Sequence, residues 1–316
     1  MITLAQSKVG VDDKVYGKVI DIFVQESEIL EMLPFDNAVN SNGSSTLIYG
    51  YVQEKLPSQA AFRAVGSEYT PSEATTEKKT AQLAIFGGAF EIDRVIKDLK
   101  AKFNNLEYQL RKKIQAAVAL FHDGMINGDV ASNANAFDGL DKMLTGTKSE
   151  YNAEGSIDIS TKTALETNAS ELYEKLTMII NRTGANAILC NEGAKTKIQT
   201  VARVLGYRTE SEEAFGRVVT KLGEVRIIDL KNKVDASGVE TPIIPVAAGL
   251  TDIYAVRFDV NDGFHGVSLS GDKVVETYLP DFSTPNALKK GEVEMVACVA
   301  LKNTNAAAVL RNVKIS

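Results

Sequence analysis

Hydrophobic side chains recur every three or four residues between positions 93 and 127. The repeating apolar positions are Leu99, Phe103, Leu106, Leu110, Ile114, Val118, Phe121 and Met125. This spacing places them on one side of a helix, and Gly128 and Asp129 provide its end. Such a helix would be about 50 Å long, whereas the average helix has about 11–12 residues. We therefore predict that the rest of the chain packs along it or projects from its ends.

Two further helices are predicted in the middle of the chain, and a weaker one near its start. Thr161 is suited to begin a helix that ends at Gly184, and another helix is predicted over 192–205. Near the N-terminus, apolar residues at helical spacing extend to Leu33, where Pro34 would end the helix.

Short apolar runs predict strands on both sides of these helices. Before the long helix they cover 46–51 and 80–92. The later ones cover 186–190, 218–219, 225–228, 243–246, 252–258, 273–278, 292–301 and 306–315. Strands early and late, with helices between them, predict the α+β class.

The polar stretch from 53 to 79 separates the first two predicted strands and is unusually long for a loop. We predict that the two strands form a long hairpin that projects from the body. Because an isolated hairpin is marginally stable in water, it would lie on a neighbouring subunit. Gly87 and Gly88 fall where the hairpin would join the body, and they permit a bend or a close backbone approach.

Composition places the chain among soluble globular proteins. Its 316 residues are 44% hydrophobic and 24% charged, which is ordinary for that class and suggests about two domains. The net charge of −6 argues against a dedicated nucleic-acid-binding protein. No apolar run is long enough to span a bilayer, and no secretory signal is evident. Cys190 and Cys298 lie in apolar runs, so we expect buried free thiols and a cytoplasmic setting.

Three short stretches imitate motifs that carry chemistry, and each lacks an essential residue. Residues 193–196 lack the Gly-Lys step of a phosphate-binding loop. Residues 266–270 lack the last glycine of a nucleophile elbow. Residues 259–263 resemble the start of a calcium loop, but no glutamate stands at the twelfth position. We therefore predict no catalytic residue, no cofactor-binding residue and no metal ligand.

The remaining polar candidates also favour structural roles. His122 and His265 are the two histidines of the chain, too few for a common zinc site. His122 is expected to be a packed or surface residue of the long helix, and His265 is expected in a turn. The basic run at 111–113 is typical of a solvated helix face, with a DNA contact as the less favoured alternative.

The order of these parts resembles that of tailed-bacteriophage major capsid proteins with the Hong Kong 97-type capsid fold. The phrases ITLAQSKVGVDDKVYGKVIDIF, STLIYGYVQEKLPSQAAFRAVGSEY and IFGGAFEIDRVI are similar to one subfamily, and the resemblance spans essentially the whole chain. It implies an N-terminal arm at 1–45, an extended hairpin loop at 46–92, a peripheral domain at 93–184 with a spine helix at 93–127, an axial domain at 185–292, and return strands at 293–316.

The resemblance also implies a function. The chain would be a structural protein, not an enzyme, that forms hexamers and pentamers of an icosahedral shell around phage double-stranded DNA, without sequence-specific contacts. It would belong to the virion and assemble in the host bacterial cytoplasm, with a portal. No long charged extension precedes Val11, which implies a separate scaffolding protein or a mature form. Some members crosslink a loop lysine to a neighbour, and Lys55, Lys78 and Lys79 lie on the corresponding segment.

Three alternatives remain open at this point. An encapsulin-like nanocompartment shell would enclose an enzyme instead of a genome. A filament or tail subunit would form open helical polymers. An enzyme would need a deep pocket with paired carboxylates. For the shell we further predict that the spine helix and the glycine pair at 87–88 absorb a compact-to-expanded change.

Overall fold

The computed structural model describes most of the 316-residue chain and confirms its α+β class. The described segments are 27–38, 47–56, 58–71, 73–95, 105–152, 154–206, 210–214, 217–235, 237–269, 274–283 and 285–316. The start of the predicted N-terminal arm and residues 96–104 of the predicted long helix lie outside them.

The first two described helices follow the hydrophobic periodicity. Helix α1 (Glu28–Met32) begins at Ser27, whose hydroxyl accepts a hydrogen bond from the Leu30 N–H, and it ends before Pro34. Helix α2 (Asn105–Asn127) has 23 residues and is therefore about 35 Å long. Its buried side chains are Leu110, Ile114, Ala117, Val118, Phe121, His122, Met125 and Ile126.

Three more helices follow, and the two long ones agree with the sequence. They are α3 (Leu140–Leu144), α4 (Lys162–Thr183) and α5 (Glu192–Val204). At the start of α4, the Thr161 hydroxyl accepts a hydrogen bond from the Ala164 N–H. At its end, Gly184 takes the left-handed conformation, with φ of 60°, which glycine adopts without a steric penalty.

The predicted strand at 80–92 is wrong as a single element, because it is two strands in different sheets. The first four strands are β1 (Phe35–Asn37), β2 (Ile48–Leu56), β3 (Thr75–Gln82) and β4 (Ala84–Asp93). Strand β3 pairs with β2, whereas β4 pairs with a later strand, and Leu83 separates them. Asp93 ends β4, where it pairs with Leu288. Helical backbone follows at Arg94 and Val95, and the Val95 N–H donates to the Asp93 carboxylate at 2.8 Å, which agrees with the predicted helix start.

A five-stranded sheet packs against α1 and α2. It runs in the order β1, β14 (Phe264–Ser268), β16 (Leu288–Leu301) and β15 (Val275–Tyr278), and β4 also pairs with β16. The turn predicted at His265 is wrong, because His265 lies inside β14. Every residue of β14 is buried, so the strand shows no alternation of polar and apolar residues that would have revealed it.

An eight-stranded sheet forms the second body of strands. Its order is β5 (Glu150–Tyr151), β17 (Ala307–Lys314), β13 (Leu250–Val256), β7 (Ala187–Cys190), β10 (Val225–Asp229), β9 (Arg217–Leu222) and β8 (Glu210–Ala214), with β6 (Ile157–Asp158) also on β17. Strands β11 (Asn232–Val234) and β12 (Glu240–Pro242) pair separately. The strand predicted at 243–246 is wrong. Ile243 and Ile244 are buried, but they lie between Pro242 and Pro245, and proline cannot donate to a strand ladder.

The buried apolar residues form two clusters. One joins α1, α2 and the five-stranded sheet, and includes Leu30, Phe121 and Val299. The other joins α4 and α5 to the eight-stranded sheet, and includes Leu172 and Ile198. Helix α4 therefore packs with the eight-stranded sheet, not with the sheet that covers α2.

One arginine ties the end of the chain to three other elements. Arg311, on β17, contacts Asp141 of α3, Asp252 of β13 at 2.7 Å and Glu150 of β5 at 2.8 Å. Its side chain is 13% exposed, so these carboxylates offset the cost of burying its charge.

Candidate assembly surface

Strands β2 and β3 form the predicted hairpin. Their antiparallel register runs from Ile48 opposite Gln82 to Leu56 opposite Thr75. Among the described residues no third strand joins this two-stranded sheet. Residues 58–71, the tip of the hairpin, contain no helix or strand and are exposed throughout.

The tip presents apolar side chains to solvent. Phe62 and Val65 are fully exposed, with relative accessibilities of 108% and 105%. Gly66 has a positive φ of 87° and closes a turn, while the Arg63 guanidinium lies 5.2 Å from the centre of the Tyr69 ring. Side chains of this kind, gathered at one exposed end, mark a surface that another molecule can cover.

Four residues from different elements meet where the hairpin leaves the body. Tyr49 of β2 donates a hydrogen bond of 2.6 Å to Asp36 of β1. Lys302, just after β16, lies 3.6 Å from the same carboxylate. The His265 ring of β14 is edge-on to Tyr49, with centroids 5.8 Å apart. We call Asp36, Tyr49, His265 and Lys302 the root cluster, because it joins the hairpin to the body.

Burial and charge set the protonation states of the root cluster. Burial opposes ionisation of Asp36, but the Tyr49 hydroxyl, the Asn37 N–H and Lys302 outweigh it and hold the pKa of Asp36 below its usual value. Burial and the contact with Asp36 raise the pKa of Tyr49. Burial, followed by Lys302, lowers the pKa of His265 to about 4. At neutral pH Asp36 is therefore an anion, and the Tyr49 and His265 rings are neutral.

A groove of about 560 Å³ lies between the hairpin, α3 and β16. Its lining includes Ile48 and Ala81 from the hairpin and Leu301 from β16. Among its described lining residues Asp138 is the one carboxylate, and it contacts Lys142 at 2.8 Å. The paired carboxylates that a hydrolase would need are not found in this lining.

The predicted roles of the cysteines and of His122 are confirmed. Cys190 and Cys298 are buried free thiols, and burial raises the pKa of Cys298 to about 12. His122 is buried, with its Nε2 2.7 Å from the Ser27 hydroxyl. Burial and then Lys231 lower the pKa of His122 to about 4. No group of three or more possible metal-ligating side chains occurs in the described part of the chain.

The three stretches that imitate motifs occupy structural positions. Residues 193–196 form the start of α5. Residues 259–263 form a turn in which the Gly263 N–H donates to the Asp259 carbonyl at 3.1 Å. Gly266 lies inside β14, where a Cβ would be 2.5 Å from the Phe35 ring. Close packing thus accounts for this glycine.

The lysines and arginine singled out in the sequence lie on exposed or half-buried surfaces. Arg111 and Lys112 are exposed on α2, and Lys113 is half-buried beside Gly88. On β3, Lys78 is exposed and Lys79 lies 3.3 Å from Glu77. The side chain of Lys55 lies outside the described residues. In the described segments no helix has the length and apolar character needed to cross a membrane.

Sequence reasoning missed the root cluster. Asp36 and His265 approach each other because Phe35 pairs with Gly266 in the parallel β1–β14 ladder. These strands are more than 200 residues apart in sequence, and neither shows a strong strand pattern. No local motif could have brought the four residues together.

No family model matches the sequence, and no curated protein matches it. Solved structures do match the fold. The holo-SrpI encapsulin complex from Synechococcus elongatus PCC 7942 matches with a TM-score of 0.59 at 16% identity, over 90% of this chain and 87% of that chain. A structure of Mycobacterium phage Bobi matches with a TM-score of 0.58 at 14% identity, over 92% and 90%. The capsid of a native GTA particle matches with a TM-score of 0.57 at 12% identity, over 91% and 90%.

These likenesses cover nearly the whole chain and confirm the expected Hong Kong 97-type fold. The identities, between 12% and 16%, are low enough that they establish the fold alone.

Proposed function

We propose that this chain is a structural shell protein whose copies form the hexamers and pentamers of a closed icosahedral capsid around phage double-stranded DNA. The tip of the hairpin carries the proposal. Phe62 and Val65 are fully exposed there, and a two-stranded sheet with an uncovered apolar end is marginal in water. A neighbouring copy would supply the missing surface, on a fold shared with shell-forming chains.

The contact would be heterologous, since the tip of one copy would meet a different surface of the next. Each copy would then donate one tip and receive one. Contacts of this kind close into rings when the rotation between copies permits it. Rings of six and five copies would tile the shell.

The proposed parts of the chain follow the resemblance, with two revisions that the packing supports. The arm would be 1–45, the extended loop 46–92 and the spine helix would end at 127. Helix α4 packs with the eight-stranded sheet, so the axial domain would extend back from 185 to include 162–183. Strand β17 belongs to the same sheet, whereas β16 would remain with the peripheral domain.

The enclosed DNA would be held without sequence-specific contacts. A net charge of −6 suits a container that does not adhere to its contents, because tight phosphate binding requires a basic surface. We further propose a separate scaffolding protein and a portal as partners, assembly in the host bacterial cytoplasm, and a final location in the virion.

A nanocompartment shell is the second candidate, favoured by the TM-score of 0.59 with an encapsulin complex. Such a shell would enclose a protein instead of a genome. The hairpin, the root cluster and the ring geometry would serve both functions equally. The two candidates therefore differ in cargo and not in the chain's own chemistry.

Electron microscopy of the purified full chain, alone and with its scaffold, tests the proposal. Uniform closed particles, or rings of six and five, are the expected result. A monodisperse monomer under all conditions would contradict a shell function, and open helical polymers would indicate a filament subunit. Particles isolated from the native source should then be treated with nuclease and extracted. Protected double-stranded DNA supports the phage capsid, while a single abundant protein cargo supports the nanocompartment.

A further inference from the structure

Each of the two histidines of the chain lies beside one end of the same short segment. We call residues 27–38 the strap; it contains α1 and β1 and runs across the body before the hairpin. At its start, Ser27 contacts His122 at 2.7 Å. At its end, Asp36 accepts a hydrogen bond from the Tyr49 hydroxyl of the hairpin, and the His265 ring lies beside Tyr49. A change at either imidazole therefore acts directly on the attachment of the strap.

His122 lies on α2 and faces α1 and the segment that follows β10. A cavity of about 60 Å³ adjoins it. The titratable groups that line this cavity are Glu28, Asp229 and Lys231. Lys231 opposes a positive charge on the imidazole, and the Ser27 hydroxyl occupies Nε2.

His265 is fully buried beneath the hairpin. The charged and titratable groups that face it are Asp36 from β1, Tyr49 from β2, Asp259 from the preceding turn and Lys302 from the segment after β16. Its Nδ1 is 3.4 Å from the Gly263 carbonyl. Its Nε2 has no hydrogen-bond partner among the described residues. A proton on Nε2 would therefore be a buried donor without an acceptor, which is costly.

We propose that His122 and His265 form an acid-sensitive latch, in which protonation of the two imidazoles loosens the strap and the root of the hairpin from the body. The strap also buries Ile29, Leu30, Leu33 and Phe35, so it stays closed at neutral pH. Acid shifts the equilibrium between closed and locally opened forms, while the rest of the fold persists. This property belongs to the single chain and does not depend on the proposed shell function.

Proton linkage gives the expected size of the shift. Each imidazole has a pKa of about 4 when buried and regains a value near 6.5 when the strap opens. Between pH 8 and pH 5 the opening equilibrium should then increase roughly 30-fold for each histidine that opening exposes. Ordinary carboxylates titrate mostly below pH 5. A change in the opening equilibrium between pH 8 and pH 5 therefore reports on the histidines.

The two cysteines provide an internal comparison. Cys298 lies in β16 beneath Tyr49 and Tyr51, whereas Cys190 is buried in the eight-stranded sheet. Labelling of the full-length chain with a dithiodipyridine, which reacts in acid, measures how often each thiol becomes accessible. The Cys190 rate reports deeper unfolding of the fold. The ratio of the Cys298 rate to the rate of a small-molecule thiol at the same pH cancels the reagent's own pH dependence. We expect this ratio to rise by at least roughly 30-fold from pH 8 to pH 5.

The double variant His122→Gln, His265→Gln should keep a constant ratio over the same window. An unchanged rise in this variant, or a wild-type chain in which both thiols become accessible together, would overturn the latch. Should the variant not fold, hydrogen exchange of the wild-type chain decides the question. Protection, corrected for intrinsic rates, should fall between pH 8 and pH 5 in peptides from 27–38 and persist in peptides from 187–190. Equal losses in both would again refute the proposal.

Discussion

Replacement of Phe62 by serine should impair assembly without destabilising the chain. In the single chain this side chain is fully exposed, so its removal costs the folded monomer almost nothing. In a shell it would be covered by the neighbouring copy. Burial of a phenylalanine contributes about 1.5–3 kcal/mol.

The effect on assembly follows from one tip contact per subunit. A loss of about 2 kcal/mol weakens an equilibrium about 30-fold. Since each added subunit forms one such contact, the concentration above which shells appear should rise by about the same factor. The conservative variant Phe62→Leu keeps most of the apolar area and should shift this concentration only a few-fold.

Sedimentation velocity over a concentration series measures the assembly threshold, and thermal unfolding of dilute protein measures the stability of the single chain. The serine variant should have the same melting temperature as the wild-type chain, while its assembly threshold should be higher. Equal thresholds for the two proteins would refute the role of the tip. A large fall in melting temperature would show that Phe62 stabilises its own chain, contrary to its exposure.

Three further predictions concern the body. Arg311→Met should lower the free energy of urea unfolding by about 3–5 kcal/mol, because three partly buried carboxylates lose their counter-ion; a value below 1 kcal/mol would contradict this. Gly87→Ala should lower the free energy of unfolding by about 1–3 kcal/mol or prevent folding, since its Cβ would be 1.9 Å from a backbone carbonyl of β16. In the control Gly88→Ala, the new Cβ meets only a flexible lysine, so its stability should remain near wild type. Tyr49→Phe should cost about 1.5–3 kcal/mol. Because the pKa of Asp36 in the folded chain is depressed, this contribution is present above pH 4 and is lost as pH falls through the folded pKa. The stabilities of wild type and Tyr49→Phe should therefore become equal in acid denaturation curves.

Sequence patterns predicted the helices that have one apolar face. In α4, Leu172, Leu176 and Ile179 recur at helical spacing and are buried, and Thr161 and Gly184 mark its ends. These features depend on residues within one or two turns of each other. Local chemistry therefore determines them, and it can be recognised in the sequence.

The strands were harder to predict because their identity depends on distant partners. Strand β14 is buried throughout. It lies between β1, more than 200 residues earlier in the chain, and β16, which begins 20 residues after β14 ends. Residues 80–92 are mostly apolar, yet they change partner at Leu83. Burial on both faces removes the alternation on which strand prediction rests.

The candidate assembly surface also has one part that the sequence predicted and one part that it did not. A long polar insertion between two strands predicted the hairpin, but the sequence did not single out Phe62 at its tip. The root cluster could not be foreseen, since Asp36 and Lys302 lie 3.6 Å apart but at opposite ends of the chain. Their approach is a consequence of tertiary packing, which a single sequence does not display.

The change of partner at Leu83 revises the prediction that the glycine pair at 87–88 is a hinge. Gly87 and Gly88 lie within the ten-pair ladder between β4 and β16, so a bend there would break backbone hydrogen bonds. Leu83 is the single residue between two sheets, and its N–H donates to the Leu47 carbonyl at 2.8 Å. We therefore predict that any compact-to-expanded change of the shell rotates the hairpin about Leu47 and Leu83.

Cryo-electron microscopy of both shell forms tests this prediction. After superposition on residues 84–93 and 288–297, the hairpin should differ in direction while the β4–β16 ladder coincides. A bend inside the ladder would instead restore the glycine pair as the hinge. Identical hairpin directions in two shells of different diameter would exclude both pivots and leave the bending of α2 as the remaining mechanism.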